Sequence, residues 1–184
     1  MTELSSVIQA LSDGGVIAYP TEAVYGLGCD PDNEAAVMAL LEIKQRPVEK
    51  GLILIAADYS QLLPYVNDSA IPQEKRFEIF SSWPGHVSWV LPASSKAPKW
   101  VTGQFDSIAV RVSAHPVVQQ LCRAFGKPLV STSANLSGQP SITDPVELAQ
   151  SLGALLSAIM PGALGGAAQP SQIRNALTGD IVRS

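Results

Sequence analysis

Three basic side chains lie close together in the segment EIKQRPVEKGL at residues 42–52. Lys44, Arg46 and Lys50 fall between positions 44 and 50 of a chain that has only 12 Lys and Arg residues. Lys44 and Arg46 stand where a predicted helix ends, and Pro47 forces the following chain out of helix, so both side chains can project toward one point. A polyphosphate suits that point, because guanidinium and ammonium groups offset its charge. The alternative is that the basic residues simply complement a helix C-terminus.

Hydroxyl groups cluster in a second segment, LVSTSANLSG at residues 129–138. Ser131, Thr132, Ser133 and Asn135 stand at the end of a predicted buried strand. Ligands of open α/β sheets usually bind beyond the carboxyl ends of strands, and hydroxyls and backbone N–H groups there hold phosphate or carboxylate oxygens without adding charge. The alternative for this segment is an ordinary helix-capping turn.

The common signatures of nucleotide-binding and hydrolytic sites are missing from the sequence. It has no GxxxxGK[ST] segment, and GLG at residues 26–28 is too short for a dinucleotide fingerprint. His86 and His115 are isolated, without an HExxH or GxSxG motif. Cys29 and Cys122 form no CxxC pair and fit small buried apolar residues better than a zinc site or disulfides. We therefore predict no metal ligands in the chain itself.

Helix and strand patterns surround these segments and predict an α/β fold. Strands are expected at residues 16–19, 52–56, 86–91, 108–112 and 129–132, followed by a short terminal strand. Helices are expected at about residues 5–15, 34–44, 59–66, 73–80, 116–125 and 146–152. Residues 21–33 read as an extended turn and residues 96–100 as a surface loop. The predicted architecture is a twisted mixed sheet flanked by helices.

The composition predicts one compact domain over residues 1–184. Hydrophobic residues make up 46% of the chain and charged residues 15%, which favours a buried core over disorder. The formal net charge is −4, so any nucleotide site must be a local basic pocket. No apolar run approaches the roughly 20 residues that cross a bilayer, and no signal-peptide pattern is present. We therefore expect a cytoplasmic protein without membrane contact.

Six segments, taken in order and spacing, resemble the YrdC/TsaC family. They are YPTEAVYGLG (19–28), KQRP (44–47), KGLIL (50–54), WPG (83–85), SIAVRV (107–112) and STSANLSG (131–138). The likeness continues through PSQIRNALTG to Arg183 and covers essentially the whole chain. The family's KxR and SxN elements stand here as Lys44, Arg46 and Ser133, Asn135. The length resembles the short bacterial form, which lacks the further carboxyl-terminal domain of longer relatives.

The resemblance implies a YrdC-like α/β fold with a concave, basic-lined cleft. It implies a nucleotidyltransferase, L-threonylcarbamoyladenylate synthase, that makes threonylcarbamoyl-AMP and pyrophosphate from L-threonine, bicarbonate or CO2, and ATP. The product of this family feeds N6-threonylcarbamoyladenosine formation at position 37 of ANN-decoding tRNAs, with TsaB, TsaD and TsaE as pathway partners. The implied cofactor is Mg²⁺, bound mainly through the phosphates of ATP.

The resemblance also assigns roles to residues that match the family's motifs. ATP contacts are assigned to Arg46, Lys50, Ser107, Ser133, Asn135, Ser141 and Arg183. Contacts with threonine or its carbamate are assigned to Thr21, Arg111, Ser131 and Ser171. Lys44, Arg46 and Lys50 are the expected catalytic residues, because they would stabilise developing phosphate charge. Arg111 is the expected partner of the threonine carboxylate, which a guanidinium binds as a bidentate fork.

Two positions depart from the family pattern, and two other functions remain open. The chain reads WPGHVS where many relatives have WPGP followed by Thr, and Ile55 stands where longer relatives carry a threonine-contacting His. One alternative function is a noncatalytic RNA-binding or ribosome-maturation module with weak tRNA binding. The other is a carbamoyl-adenylating module like the YrdC-related domains of hydrogenase-maturation enzymes, which the lack of accessory domains disfavours.

Overall fold

A computed structural model describes residues 3–183 of the chain. Within that range the strands are β1 (Ile17–Pro20), β2 (Tyr25–Gly28), β3 (Ile53–Ala56), β4 (Val87–Pro92), β5 (Ser107–Val112), β6 (Leu129–Ser133), β7 (Ala158–Ile159), β8 (Gln172–Asn175) and β9 (Ile181–Arg183). The α-helices are α1 (Glu3–Ser12), α2 (Glu34–Lys44), α3 (Arg76–Ser81), α4 (Lys99–Thr102), α5 (Pro116–Phe125) and α6 (Pro145–Leu152).

All of these strands join one sheet in the order β7-β1-β2-β6-β3-β5-β4-β8-β9. The pairs β1/β7, β3/β5 and β4/β8 are parallel, and the other neighbours are antiparallel. The prediction of a mixed α/β sheet flanked by helices is therefore confirmed. The single domain over residues 1–184 stays a prediction.

Helices pack on both faces of the sheet. Successive residues of a strand point to opposite sides, so neighbouring strand residues pack against different helices. Ile17 of β1 and Ile55 of β3 belong to a core cluster with residues of α1 and α5. Their neighbours Ala18 and Leu54 belong to a second cluster, which contains residues of α2 and α6. Both faces of these strands are buried, so apolar residues are needed at successive positions and not only at every second one.

The α1 and α5 layer covers only part of its face of the sheet. Ile55 and Leu129 are opposite each other in register and are fully buried against those helices. Two residues along the same strands, Ile53 lies opposite Ser131 and Ala109, and these three side chains line an open cleft. One face of the sheet is therefore core at one end and binding surface at the other.

A Gly- and Ala-rich connection between β7 and β8, residues 161–171, lies against this open surface. We call it the strap. Its backbone is held by the N–H of Gly165, which donates to Thr21 O at 3.0 Å, and by that of Ala167, which donates to Glu22 O at 2.9 Å. A Cβ at Gly165 would lie 2.9 Å from Glu22 Cα, so the strap can approach the turn after β1 this closely only with glycine there.

Three predictions of local structure are wrong. Residues 25–28 form strand β2 instead of part of an extended turn, because their glycines allow close strand contact: a Cβ at Gly28 would lie 2.5 Å from Val130 O. The surface loop expected at 96–100 runs into the short helix α4. The helix expected at 59–66 is only a 3₁₀ turn over Tyr59–Leu62.

No helix within residues 3–183 is long and apolar enough to cross a membrane. The cytoplasmic location stays a prediction. Cys29 and Cys122 are both buried free thiols, and burial raises the pKa of each to about 12. Such thiols are poor nucleophiles at neutral pH.

Candidate active site

The uncovered part of the sheet face is the floor of a cleft of about 730 Å³. Every residue predicted to bind or to catalyse lines it: Thr21, Lys44, Arg46, Lys50, Ser107, Arg111, Ser131, Ser133, Asn135, Ser141, Ser171 and Arg183. The structure therefore brings together side chains that are up to 162 positions apart in the chain, from Thr21 to Arg183. Their individual roles stay predictions.

The end of α2 sets the direction of the basic segment. Gln45 follows Lys44 in the left-handed conformation, with φ 48°, and its N–H donates to the carbonyls of Glu42 and Leu41. The N–H of Arg46 donates to Leu41 O at 3.0 Å. This helix-ending turn places Lys44 and Arg46 on the wall of the cleft.

Lys44 joins the KxR segment to the SxN segment. Its Nζ donates to Ser133 O at 2.8 Å, to Asn135 O at 3.4 Å and to Asn135 Oδ1. Asn135 Oδ1 also accepts from Ser133 Oγ at 3.0 Å, and Asn135 Nδ2 donates to Gln139 O at 2.8 Å. All three ammonium protons are thus engaged, and Lys44 fixes the loop that follows β6. Burial, and then the charge of Arg46, lower the pKa of Lys44 to about 8.

Arg46 is anchored by its own segment. Its Nε and Nη2 donate to Gly51 O at 3.2 and 2.9 Å, and burial lowers its pKa. Gly51 has φ 73°, and a Cβ there would lie 3.0 Å from Thr102 O, so a side chain at this position would be strained. Lys50 is exposed at the mouth of the cleft.

Arg183 and Ser171 form a second anchored group on the β8 and β9 side. Arg183 Nε and Nη2 donate to Ser171 O at 3.0 and 2.9 Å, and Nη2 also donates to Ser171 Oγ at 3.1 Å. Ser171 Oγ lies 3.1 Å from Ser88 Oγ. Burial, and then the charge of Arg111, lower the pKa of Arg183.

Arg111 is nearly buried and paired with an acid. Its Nη1 lies 2.8 Å from Glu22 Oε2, and the two side chains are only 7% and 13% exposed. Ser113 Oγ donates to the same carboxylate oxygen at 3.0 Å. Burial raises the pKa of Glu22, but Arg111 and the hydrogen bonds outweigh it, so that this pKa is below its ordinary value. His86 Nδ1 lies 3.4 Å from the same Nη1, and His86 Nε2 lies 2.7 Å from Gln169 O of the strap.

The remaining hydroxyls are placed by backbone contacts. Thr21 sits in a tight turn after β1, in which its N–H and Oγ1 both donate to Val24 O. Ser141 precedes Ile142, which pairs with Tyr25 and Ala134 and so returns the loop after β6 to the cleft. Ser107 begins β5 and Ser131 lies in β6, and both line the cleft.

Several side chains near the site received no role from the sequence, among them Glu22, His86 and Ser88. The signal for Glu22 is its position directly after Thr21 in YPTEAVYGLG. Ser88 lies on β4, and His86 lies two positions before it and directly before that strand. Both line the cleft. His86 is one of the departures from the family pattern, and its contact with Arg111 gives that departure a structural consequence.

The electrostatics of the cleft favour an anionic ligand. Five Lys and Arg side chains line it, and no Asp or Glu does so among residues 3–183. Two like-charged pairs converge: burial and then the charge of Arg46 lower the pKa of Lys44, and burial and then the charge of Arg111 lower that of Arg183. A bound anion relieves such repulsion. The same part of the chain holds no group of three His, Cys, Asp or Glu that could bind a metal ion.

Comparisons with known proteins cover nearly the whole chain. The Sua5/YciO/YrdC family model, which is described as telomere recombination, matches residues 9–184. A threonylcarbamoyl-AMP synthase of Vibrio campbellii is 56% identical over 183 residues, which are 100% of this chain and 99% of that protein. One of Yersinia enterocolitica is 61% identical over 180 residues, 98% of this chain and 94% of that protein.

A solved structure gives the same fold. Sua5 of P. abyssi complexed with L-threonine superposes with a TM-score of 0.86 at 32% identity. The superposition covers 94% of this chain but 50% of Sua5, so the chain spans about half the length of that protein. The matched range, the identities and the shared fold lead to one conclusion: the chain belongs to the Sua5/YciO/YrdC family.

Proposed function

We propose that the protein is a threonylcarbamoyl-AMP synthase, which forms threonylcarbamoyl-AMP and pyrophosphate from L-threonine, bicarbonate or CO2, and ATP. Relatives of that name match nearly the full chain at 56% and 61% identity. The observation that carries the proposal is the convergence of two like-charged pairs in a single cleft. A triphosphate would neutralise the pair of Lys44 and Arg46, and an amino acid carboxylate would add a second counter-charge beside Arg111, which Glu22 already compensates in part.

Different residues of the cleft would bind the two substrates. Arg46 and Lys50 would bind the triphosphate, with the hydroxyls of Ser107, Ser133 and Ser141 and the amide of Asn135. Lys44, whose protons are engaged by Ser133 and Asn135, would add its charge to the same wall. Arg111 would bind the carboxylate of threonine, with Thr21, Ser131 and Ser171 as polar partners for the remaining groups. Arg183 would act where the two substrates meet, because the charge of Arg111 reaches it.

The chemistry requires alignment more than a protein nucleophile. The amino group of threonine attacks the carbon of CO2, or of bicarbonate with loss of water, and gives up a proton to form a carbamate. A carbamate oxygen then attacks the α-phosphorus of ATP, the bond to the bridging oxygen breaks, and pyrophosphate leaves. Fixed cations that face the phosphates stabilise the charge that develops in this step.

Mg²⁺ would enter with ATP and be held by its phosphates. The cleft lining within residues 3–183 contains no carboxylate, the side chain that most often binds this ion in proteins. The hydroxyl-rich lining leaves the ion to phosphate oxygens and water. When bound, Mg²⁺ would neutralise part of the phosphate charge, while the chain orients the triphosphate.

The product would be passed on in tRNA modification. A mixed anhydride of a carbamate and a phosphate is a reactive acyl donor, so the next enzyme must transfer the threonylcarbamoyl group. We place that transfer at N6 of adenosine 37 in ANN-decoding tRNAs, with TsaB, TsaD and TsaE as pathway proteins.

The direct test is pyrophosphate release with threonine, bicarbonate or ATP omitted in turn. We expect release only when all three substrates are present. Release that continues without threonine would indicate another acceptor. If the protein were instead an RNA-binding module, RNA affinity would need neither substrate and would fall steeply with salt.

A further inference from the structure

The guanidinium of Arg111 is held from two sides through one nitrogen. Nη1 has two protons; Glu22 Oε2 lies at 2.8 Å and His86 Nδ1 at 3.4 Å. Among the described residues, no hydrogen bond occupies Nε or Nη2. The edge formed by Nε and Nη2 is therefore the part of the guanidinium that remains for a ligand in the cleft, which Arg111 lines.

Glu22 stands behind Arg111 and not in front of it. Arg111 lines the cleft but Glu22 does not, and Oε1 of Glu22 is buried and has no hydrogen-bond partner among the described residues. Ser113 Oγ fixes the other carboxylate oxygen. The acid thus compensates a nearly buried guanidinium without competing for the face that a substrate would approach.

His86 contacts Arg111 from the side of the strap. The carbonyl of Gln169 only accepts hydrogen bonds, so the proton between them belongs to His86 Nε2. The guanidinium of Arg111 only donates, so Nδ1 must accept from it. In this arrangement the ring is neutral, and it connects Arg111 to the strap segment that precedes Ser171.

We propose that Glu22 and His86 are positioning residues that clamp Nη1 of Arg111, so that the Nε and Nη2 edge takes the carboxylate of the amino acid substrate. The inference rests on the proposed function, which makes Arg111 the carboxylate partner. A bidentate fork binds a carboxylate well only in one orientation. Fixing that orientation beforehand removes an ordering cost from substrate binding.

Two variants of His86 separate this role from mere anchoring of the strap. In His86→Asn the amide oxygen takes the place of Nδ1 and can accept from Arg111, but the contact with Gln169 is lost. In His86→Gln the amide nitrogen takes the place of Nε2 and can donate to Gln169, but the contact with Arg111 is lost. His86 is only partly buried, so both variants should fold.

The experiment measures binding of L-threonine and of L-threoninamide, which lacks the carboxylate, by calorimetry. For threonine we expect about a tenfold loss of affinity in His86→Gln and His86→Ala, the size of one charge-assisted hydrogen bond. His86→Asn should stay within about twofold of wild type. Threoninamide should bind weakly and equally to all four proteins, and ATP affinity should not change.

The opposite order, with His86→Gln intact and His86→Asn impaired, would assign His86 to the strap alone and overturn the proposal. Equal threonine affinity in all variants would overturn it as well. Failure of the wild type to bind threonine would instead contradict the proposed function and, with it, this inference. Glu22→Gln, which keeps an acceptor but removes the charge, gives an independent check: threonine affinity should fall while ATP affinity is retained.

Discussion

The two ends of one face of the sheet differ in the surroundings of their side chains: one end is packed as core, and the other lines a cleft. At the covered end, Ile55 and Leu129 are fully buried beneath α1 and α5. At the open end, two residues along the same strands, Ile53 and Ser131 form the floor of a cleft together with Ala109 of the neighbouring strand β5, and five cations line this cleft. Strand, face and pairing register are the same, so the difference comes from side-chain type and from where the helices stop.

The difference shows where stability and function reside in this chain. The covered end gains from removing apolar surface from water. The open end instead brings Lys44 near Arg46 and Arg183 near Arg111, so that burial and like charges lower the pKa values of Lys44 and Arg183. A site of this kind disfavours its own empty state, and an anionic ligand removes the penalty.

The largest effect is expected for Arg46→Ala at the open end. Removing a fixed cation from the phosphate wall should lower kcat/KM for pyrophosphate release by about 100- to 1000-fold. The unfolding temperature should change little. The matched control is Arg123→Ala, because Arg123 is exposed on α5, away from the cleft. Wild-type turnover by Arg46→Ala would remove Arg46 from the phosphate site.

The next largest effect is expected for a matched pair of substitutions on β3, one at the covered end of the sheet face and one at the open end. Ile55→Ala should lower the unfolding free energy by about 3 kcal/mol, because a fully buried side chain leaves a cavity. Ile53→Ala, on the same strand and face but in the cleft, should cost about 1 kcal/mol or less. Urea denaturation of both variants measures this. Equal losses would mean that the open end is also packed as core.

The smallest effect concerns the proton balance of ATP binding. Burial, and then the charge of Arg46, lower the pKa of Lys44 to about 8, so that part of its population is uncharged near pH 8. Phosphate charge favours the ammonium and raises this pKa, so ATP binding near pH 8 should take up a fraction of a proton, and ATP affinity should fall as the pH rises further. Calorimetry in buffers of different ionisation enthalpy measures the uptake.

The control for this prediction is a second lysine of the same wall. Lys44→Met should abolish the uptake, whereas Lys50→Met should retain it, because Lys50 is exposed. Binding without proton uptake in the wild type would show that the triphosphate does not reach Lys44.

The sequence predicted the chemistry of the open end better than its geometry. Runs of apolar residues located β3, β5 and β6, and the helix end at Lys44 is where the pattern placed it. Strand β2 was not predictable, because its glycines read as turn residues until the packing against β1 and β6 is known. Glycine serves both purposes, and local sequence does not tell them apart.

Contacts between distant segments were beyond prediction from the residues alone. The clamp on Arg111 combines Glu22 after β1 with His86 before β4, and it depends on the strand order and on the path of the strap. The engagement of all three protons of Lys44 likewise depends on where the loop after β6 returns. The candidate residues could be named, but which of them restrain one another could not.

The most direct test that both substrates bind on the open end of the sheet face is a crystal structure with L-threonine and a nonhydrolysable ATP analogue. We expect the triphosphate within hydrogen-bond distance of Arg46 and the threonine carboxylate on the Nε and Nη2 edge of Arg111. Ligands bound at another surface, or a cleft that stays empty at saturating concentrations of both, would contradict it.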